Sequence, residues 1–258
     1  MVGCNLLIEV ISGIPTANVN DFINRTVIVI DVLRATSNMI TGLHNGASGI
    51  VPVDTIRQAK RLRQPNDLLG GERGCKRIVG FHLGNSPFEY RQEGVRNKRI
   101  LMTTTNGTRV IQKSLKASHL LAGALLNAQA CAKTALELNK DVFLVCAGTQ
   151  ESFSLEDGLC AGVIIEELTQ LIRNSNGESE TKATWQINDL GLAMHSSYLQ
   201  LQSRLSEILL ACENGIKLSK LGFREDVIYC AQVNQLDVVP IWQLGMLVPF
   251  SSLALCSK

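Results

Sequence analysis

The chain has 258 residues, with 25 Lys and Arg against 23 Asp and Glu, a formal net charge of +2 and 45% hydrophobic residues. That is enough chain for one large α/β domain or two small lobes with a true core, and the near-neutral charge excludes a bulk electrostatic footprint for nucleic acid or an acidic membrane. No uncharged run reaches 18 strongly apolar residues, and the opening MVGCNLLIEVISG lacks the basic region and apolar core of a signal peptide, so the sequence predicts a soluble, cytoplasmic protein.

Leu6 to Ile11 is the first predicted strand. The second, Val27 to Ile30, is four consecutive β-branched residues, the pattern of a strand buried on both faces in a parallel sheet. It stops at Asp31, and Arg34, Thr36 and Ser37 follow just before the amphipathic residues Met39, Ile40 and Leu43. A strand that ends in an acid and turns into a helix capped by Thr or Ser gathers a carboxylate, a cation and free N–H groups, which suits a phosphate ester. From this stretch alone, a strand end with an N-cap and a surface arginine reads equally well. Gly46 can end the helix. Gly49 to Val53 is the next strand, and Asp54 or Thr55 caps a helix through Leu62 whose Arg57, Lys60 and Arg61 form a solvated face.

The GGERG block, Gly70 to Gly74, places Glu72 and Arg73 between glycines, where backbone can approach a ligand closely or make an ordinary turn. In GFHLGNSPFEY, Gly80 to Tyr90, Asn85 and Ser86 precede the rigid Pro87. Arg99 to Met102 is a strand leading into TTTNGT and a helix from Val110 to Leu115. Thr105, Asn106, Gly107 and Thr108 there offer donors without charge, as phosphate oxygens require. His119 to Ala122 is a strand, Asn127 caps a helix from Ala128 to Leu138, and Asp141 to Val145 is a strand before the helical Leu159 to Ile172. Glu156 and Asp157 stand at the start of that helix, where acids favour the dipole. Asn174 to Thr181 reads as a surface loop, and Leu201, Leu205, Ile208, Leu209, Cys212 and Ile216 as a helical core stripe. Asp226 to Ala231 and Leu236 to Val239 return to strand-like sequence.

This alternation predicts an α/β fold of mainly parallel sheets flanked by helices. The similar plan of the Val27 and Asp141 units suggests two similar lobes, 1–120 and 121–258, with the site between them. Eight cysteines with no C-x-x-C pair predict free thiols in a reducing compartment.

In this order the blocks IDVLRATS, GGERG, GFHLGNSPFEY, TTTNGT and CAG…SLEDGLCAG, with GFREDVIYCAQVNQLDVVP at Gly222 to Pro240, resemble the 2-phosphosulfolactate phosphatase (ComB) family. The similarity spans about Val27 to Pro240. Cys75 stands where another Gly is expected, and His82 where an acid is usual.

The resemblance implies a Mg²⁺-dependent phosphatase of phosphorylated 2-hydroxycarboxylic acids, with 2-phospho-3-sulfolactate as the family substrate. Coenzyme M biosynthesis is the implied setting. Mg²⁺ takes one or two carboxylates plus water and phosphate oxygens, and the candidates are Asp31, Glu72, Asp157, Glu156 and Asp226. Arg34 and Arg73 would neutralise the anionic substrate, with Asp31 and Glu72 completing the catalytic set. Thr36, Ser37, Asn85, Ser86 and the Thr105 to Thr108 run would bind it. Asp31 is open to two roles, nucleophile or metal ligand. The D-x-D and C-x5-R phosphatase motifs and the G-x4-G-K-[ST] loop are absent. A non-catalytic binding module for a phosphorylated metabolite, or a Mg²⁺-dependent lyase or isomerase, would use the same loops; the converging carboxylates argue against a pure anion binder. The partner is a small anionic phosphorylated substrate, with neither nucleic acid nor membrane, and self-association is left open.

Overall fold

The computed structural model describes residues 6–150, 152–176 and 185–251. Its centre is β2 (Thr26–Ile30), every residue of which is buried. Alternation along this strand feeds two cores. Ile28 and Ile30 enter one with Cys131, Leu144 and Ile164, while Val27 and Val29 enter the other with Met39, Leu43 and Val110.

The strands in chain order are β1 (Leu6–Ile11), β2, β3 (Gly49–Pro52), β4 (Leu68–Arg73), β5 (Lys76–Arg77), β6 (Arg99–Thr103), β7 (His119–Gly123), β8 (Val142–Cys146), β9 (Trp185–Ile187), β10 (Pro240–Gln243) and β11 (Met246–Pro249). They form one eleven-stranded sheet, ordered β5-β4-β6-β3-β11-β10-β7-β2-β8-β1-β9. The pairs β4/β6, β6/β3, β7/β2, β2/β8, β8/β1 and β1/β9 are parallel. The antiparallel hairpin β10–β11 joins the two parallel groups through one register pair on each side, Ile241 with Leu121 and Leu247 with Ile50. The expected α/β class with a mainly parallel sheet is what the chain adopts. β1 and β2 stand beside β7 and β8, so segments from before and after residue 120 share one parallel group.

The helices are α1 (Ala35–His44), α2 (Ile56–Leu62), α3 (Gly107–Lys113), α4 (Ala128–Leu138), α5 (Leu155–Asn176), α6 (Asp189–Leu201), α7 (Leu205–Ala211), α8 (Glu213–Lys220) and α9 (Arg224–Cys230). Thr55 caps α2 as expected, accepting from the Gln58 N–H. Neither Thr36 nor Ser37 caps α1: Arg34 occupies the cap position, and the Asp31 carboxylate accepts the Ala35 N–H.

The strand expected at Asp226 to Ala231 is instead α9, with Asp226, Val227 and Cys230 buried at helical spacing. A short apolar run cannot separate the two periods. Leu236 to Val239 precede rather than form the last hairpin, whose first strand starts at Pro240. The stripe from Leu201 to Ile216 spans a 3₁₀ turn and two helices, broken at the extended backbone of Cys212. Of the loop expected at Asn174 to Thr181, the first three residues end α5; the rest, like residues 1–5, lies outside the described residues. Six cysteines are free thiols, five of them buried. No helix among the described residues is long and apolar enough to cross a membrane.

Candidate active site

A pocket of about 200 Å³ opens at the carboxyl ends of the parallel strands, where ligands bind in such sheets. Asp31 after β2, Glu72 near the end of β4, Thr104 after β6 and Thr149 after β8 all line it. Five strands separate β4 from β2 in the sheet, so a flat sheet would hold them about 29 Å apart at about 4.8 Å per strand. The sheet therefore bends to bring them to one cavity, and the sparse ladders of the β10–β11 hairpin leave it least constrained there.

Two carboxylates face this pocket. Asp31, only 8% exposed, accepts the Ala35 N–H at 3.1 Å through Oδ1, and the Gly107 N–H also donates to it. Gly107 must be glycine: a Cβ would lie 2.6 Å from Asp31 Oδ2 and 2.7 Å from the Ala35 Cβ. Burial is the main force on Asp31 and pushes its carboxyl up to about 6; the backbone donors oppose it, and the charges of Glu156 and Glu72 add to it. Glu72 Oε1 accepts both the N–H and the hydroxyl of Thr105 at 2.8 Å, and Oε2 accepts the Cys75 N–H at 2.8 Å. The TTTNGT run thus spends its donors on the two acids instead of presenting them to phosphate. Thr108 closes on Thr104 behind the pocket, and Thr105 and Asn106 of the four line the cavity. A buried carboxylate needs those donors to be tolerated at all.

The first two glycines of GGERG are required by close packing, whereas Gly74 lines the pocket. Gly71 has φ +134, and a Cβ there would lie 1.9 Å from the Thr103 carbonyl oxygen; one at Gly70 would lie 2.5 Å from the Tyr90 hydroxyl. Cys75, found where glycine is expected, sits in the left-handed region at φ +63. His82 accepts the Leu69 N–H at Nδ1 and meets Arg63 at Nε2, away from the pocket.

Arg34 is the buried cation of the site, 2% exposed yet lining the pocket. Its Nη1 bonds Asp226 Oδ2, and its guanidinium carbon stands 4.5 Å from the Phe223 ring centroid. Ser86 donates to the other oxygen of Asp226 at 2.8 Å. Asp226 and Ser86 are therefore placed to hold Arg34, with α9 and the turn before it supplying acid and ring. Arg34 Nε is buried with no hydrogen-bond partner among the described residues. With Asp226 and the Phe223 ring holding it, Arg34 brings a buried positive charge to the wall of the pocket that Asp31 and Glu72 also line.

Arg73 turns elsewhere, donating to the carbonyls of Glu72 and Asp54 and to the Thr103 hydroxyl. Thr36 and Ser37 donate to the Asp31 and Val32 carbonyls, beneath the site. Asn85 lines the pocket with its amide oxygen occupied by Asn38, so its amide N–H groups remain to offer. Asp157 accepts the Val32 and Gly148 N–H groups and ties the Asp31 loop to the end of β8; burial, then the charges of Glu156 and Asp31, raise its carboxyl well above the usual range. Glu156 accepts from Asn214. Of the five candidate metal ligands, only Asp31 and Glu72 line the pocket.

Lys217 and Asn214, on α8, also line the pocket. Neither carries a sequence signal, since a lysine on the polar face of an amphipathic helix looks like a solvated residue wherever it sits. Cys146 is buried, and burial, reinforced by Asp157 and Glu156, holds its thiol protonated.

Fold and pocket together define an α/β protein that gathers two acids and a buried arginine at the carboxyl edge of its sheet. The model of the 2-phosphosulpholactate phosphatase family matches residues 12–245. A relative from Symbiobacterium thermophilum is 38% identical over 240 residues, 92% of this chain and 98% of its own. Relatives from Carboxydothermus hydrogenoformans (42% over 233 residues, 89% of this chain and 92% of its own) and Thermotoga maritima (38% over 227, 87% and 92%) share its description, "probable 2-phosphosulfolactate phosphatase". The chain belongs to the 2-phosphosulpholactate phosphatase family, whose members are phosphoric monoester hydrolases.

Proposed function

We propose that this protein is a Mg²⁺-dependent phosphatase that hydrolyses a phosphate monoester of a 2-hydroxycarboxylic acid, with 2-phospho-3-sulfolactate, the substrate in its relatives' names, as the first candidate. The observation that carries this reading is the convergence of buried Arg34 with Asp31 and Glu72 on one pocket. Among the described residues no three His, Cys, Asp or Glu side chains form a ready-made metal cage. Mg²⁺ does not need one: one or two carboxylates suffice when water and substrate phosphate complete its shell, and Asp31 and Glu72 are hard oxygen donors of that kind. Once bound, the ion supplies neutralisation of the phosphoryl oxygens as charge shifts to the leaving oxygen. Arg34 binds the phosphate and is held in place from behind by Asp226 and Phe223. Asp31 faces the phosphate either as the nucleophile or as the carboxylate that holds the ion. Buried free thiols support a cytoplasmic setting.

Phosphate release from 2-phospho-3-sulfolactate is expected to vanish after chelation with EDTA and to return with added Mg²⁺. Full turnover in chelator overturns the metal, and no release with Mg²⁺ present overturns the substrate. Lys217 is exposed at the pocket mouth. Lys217→Met is expected to raise KM about three- to fivefold at low salt, within the roughly 1 kcal/mol of an exposed ion pair, with kcat little changed and the difference fading in high salt. Steady-state kinetics at two ionic strengths checks this.

A further inference from the structure

A second cavity of about 320 Å³ adjoins the catalytic pocket, and Thr105 and Asn106 line both. Its remaining walls have two characters. Pro15, Val110 and Ala147 give it an apolar side, and Arg109 and Lys113 a cationic one. The two cations stand at i and i+4 on α3, so they share one helix face. Both are exposed, and neither has an ion-pair partner among the described residues. No acid is among the described residues lining this cavity, whereas the catalytic pocket balances Asp31 and Glu72 against Arg34 and Lys217.

A cavity with two unpaired cations facing an apolar wall fits an anion at the end of a short apolar stem. Its shared border with the catalytic pocket makes that anion the far end of the molecule whose phosphate lies at Arg34.

We propose that this cavity is a subsite for the distal acidic group of the substrate, a sulfonate, carboxylate or second phosphate, and that Arg109 and Lys113 set specificity for it. The proposal rests on the phosphatase reading above. It assigns to Arg109 and Lys113 the reading of a second anion on the phosphorylated hydroxy acid.

The test compares kcat/KM for 2-phosphorylated acids matched in stem length, one member of each pair ending in a carboxylate and the other in a neutral amide. Wild type is expected to prefer the carboxylate about tenfold, most strongly for the longer stems. Arg109→Gln/Lys113→Gln is expected to erase that preference through KM for the anionic member. A wild type without preference, or a preference that survives in the double variant, overturns the subsite. Calorimetric binding of the corresponding phosphonates, which cannot be hydrolysed, repeats the comparison without turnover. If no ester is hydrolysed but phosphonate binding still depends on the distal charge and on Arg109 and Lys113, the phosphatase reading falls and the subsite stands. Equal binding of both phosphonates overturns the subsite on its own.

Discussion

Asp31→Asn is expected to fold and to lose roughly 10³-fold in turnover, about 4 kcal/mol of barrier. The carboxylate stands where β2 delivers it, lining the pocket, with the Ala35 and Gly107 N–H groups donating to it. An amide there keeps the shape but neither attacks phosphorus nor holds a divalent ion. A purely structural aspartate would behave in the opposite way: the melting temperature would fall, and activity per folded molecule would survive. Single turnover of an ester made chiral at phosphorus then separates the two functional roles. Retention of configuration marks a phosphoaspartate that water then hydrolyses, and inversion marks direct attack by water. Water is the expected attacker, because position 33 is Leu33 and no second acid stands two residues on to act as acid and base.

The same residue gives stability a defined pH dependence in metal-free protein. Burial raises Asp31 from an ordinary 3.8 to about 6 in the folded chain. Between those values the unfolded chain has released the proton and the folded chain still binds it. The folded state is therefore fully favoured below about pH 4 and loses stability as pH rises through 6. Asp31→Asn removes this loss. Its unfolding free energy relative to wild type is expected to climb between pH 4 and pH 7 by an amount on the order of 3 kcal/mol, when both are unfolded in EDTA. A difference that stays flat across that window shows Asp31 to be ionised throughout.

Much of this arrangement was legible in the sequence because burial writes itself into composition. VIVI followed by an acid marks a central strand and its functional end, and nearly every expected strand up to Cys146 formed within one or two residues. What the sequence did not show is how many of the donors and charges it offers to a ligand bond within the protein itself. Thr105 bonds Glu72, Thr36 and Ser37 bond carbonyls, Arg73 bonds Glu72, Asp54 and Thr103, and Asp226 bonds Arg34. A sequence shows which groups can pair but not which pairing is nearest. Sheet order was illegible for a similar reason. The two parallel groups are joined by a hairpin from the far end of the chain, and nothing local in Pro240 to Pro249 announces its partners.

The pairing of Arg34 with Asp226 carries the second large expectation. Arg34→Lys retains the charge but loses the planar fork that bonds Asp226 and stacks on Phe223 at the pocket wall. It is expected to cost about 10²-fold or more in kcat/KM. Asp226→Leu strands the guanidinium in a buried site, and Arg34→Met strands the carboxylate, so each single variant is expected to lose about 3–5 kcal/mol of stability. The double variant Arg34→Met/Asp226→Leu replaces the pair by apolar groups and is expected to recover most of that loss, because neither charge is left alone. Its activity is not expected to recover with it. If Arg34 were only a strut between α1 and α9, any packing that restored the fold would restore turnover. Denaturant melts and phosphate release on the same four proteins read both quantities, and a stable double variant with near-wild-type kcat/KM would remove Arg34 from the substrate site. Burial works against ionised Asp226, while the guanidinium and the Ser86 hydroxyl work for it. Removing Ser86 alone is therefore expected to weaken Arg34 positioning without abolishing it, with kcat/KM for Ser86→Ala between wild type and Arg34→Lys.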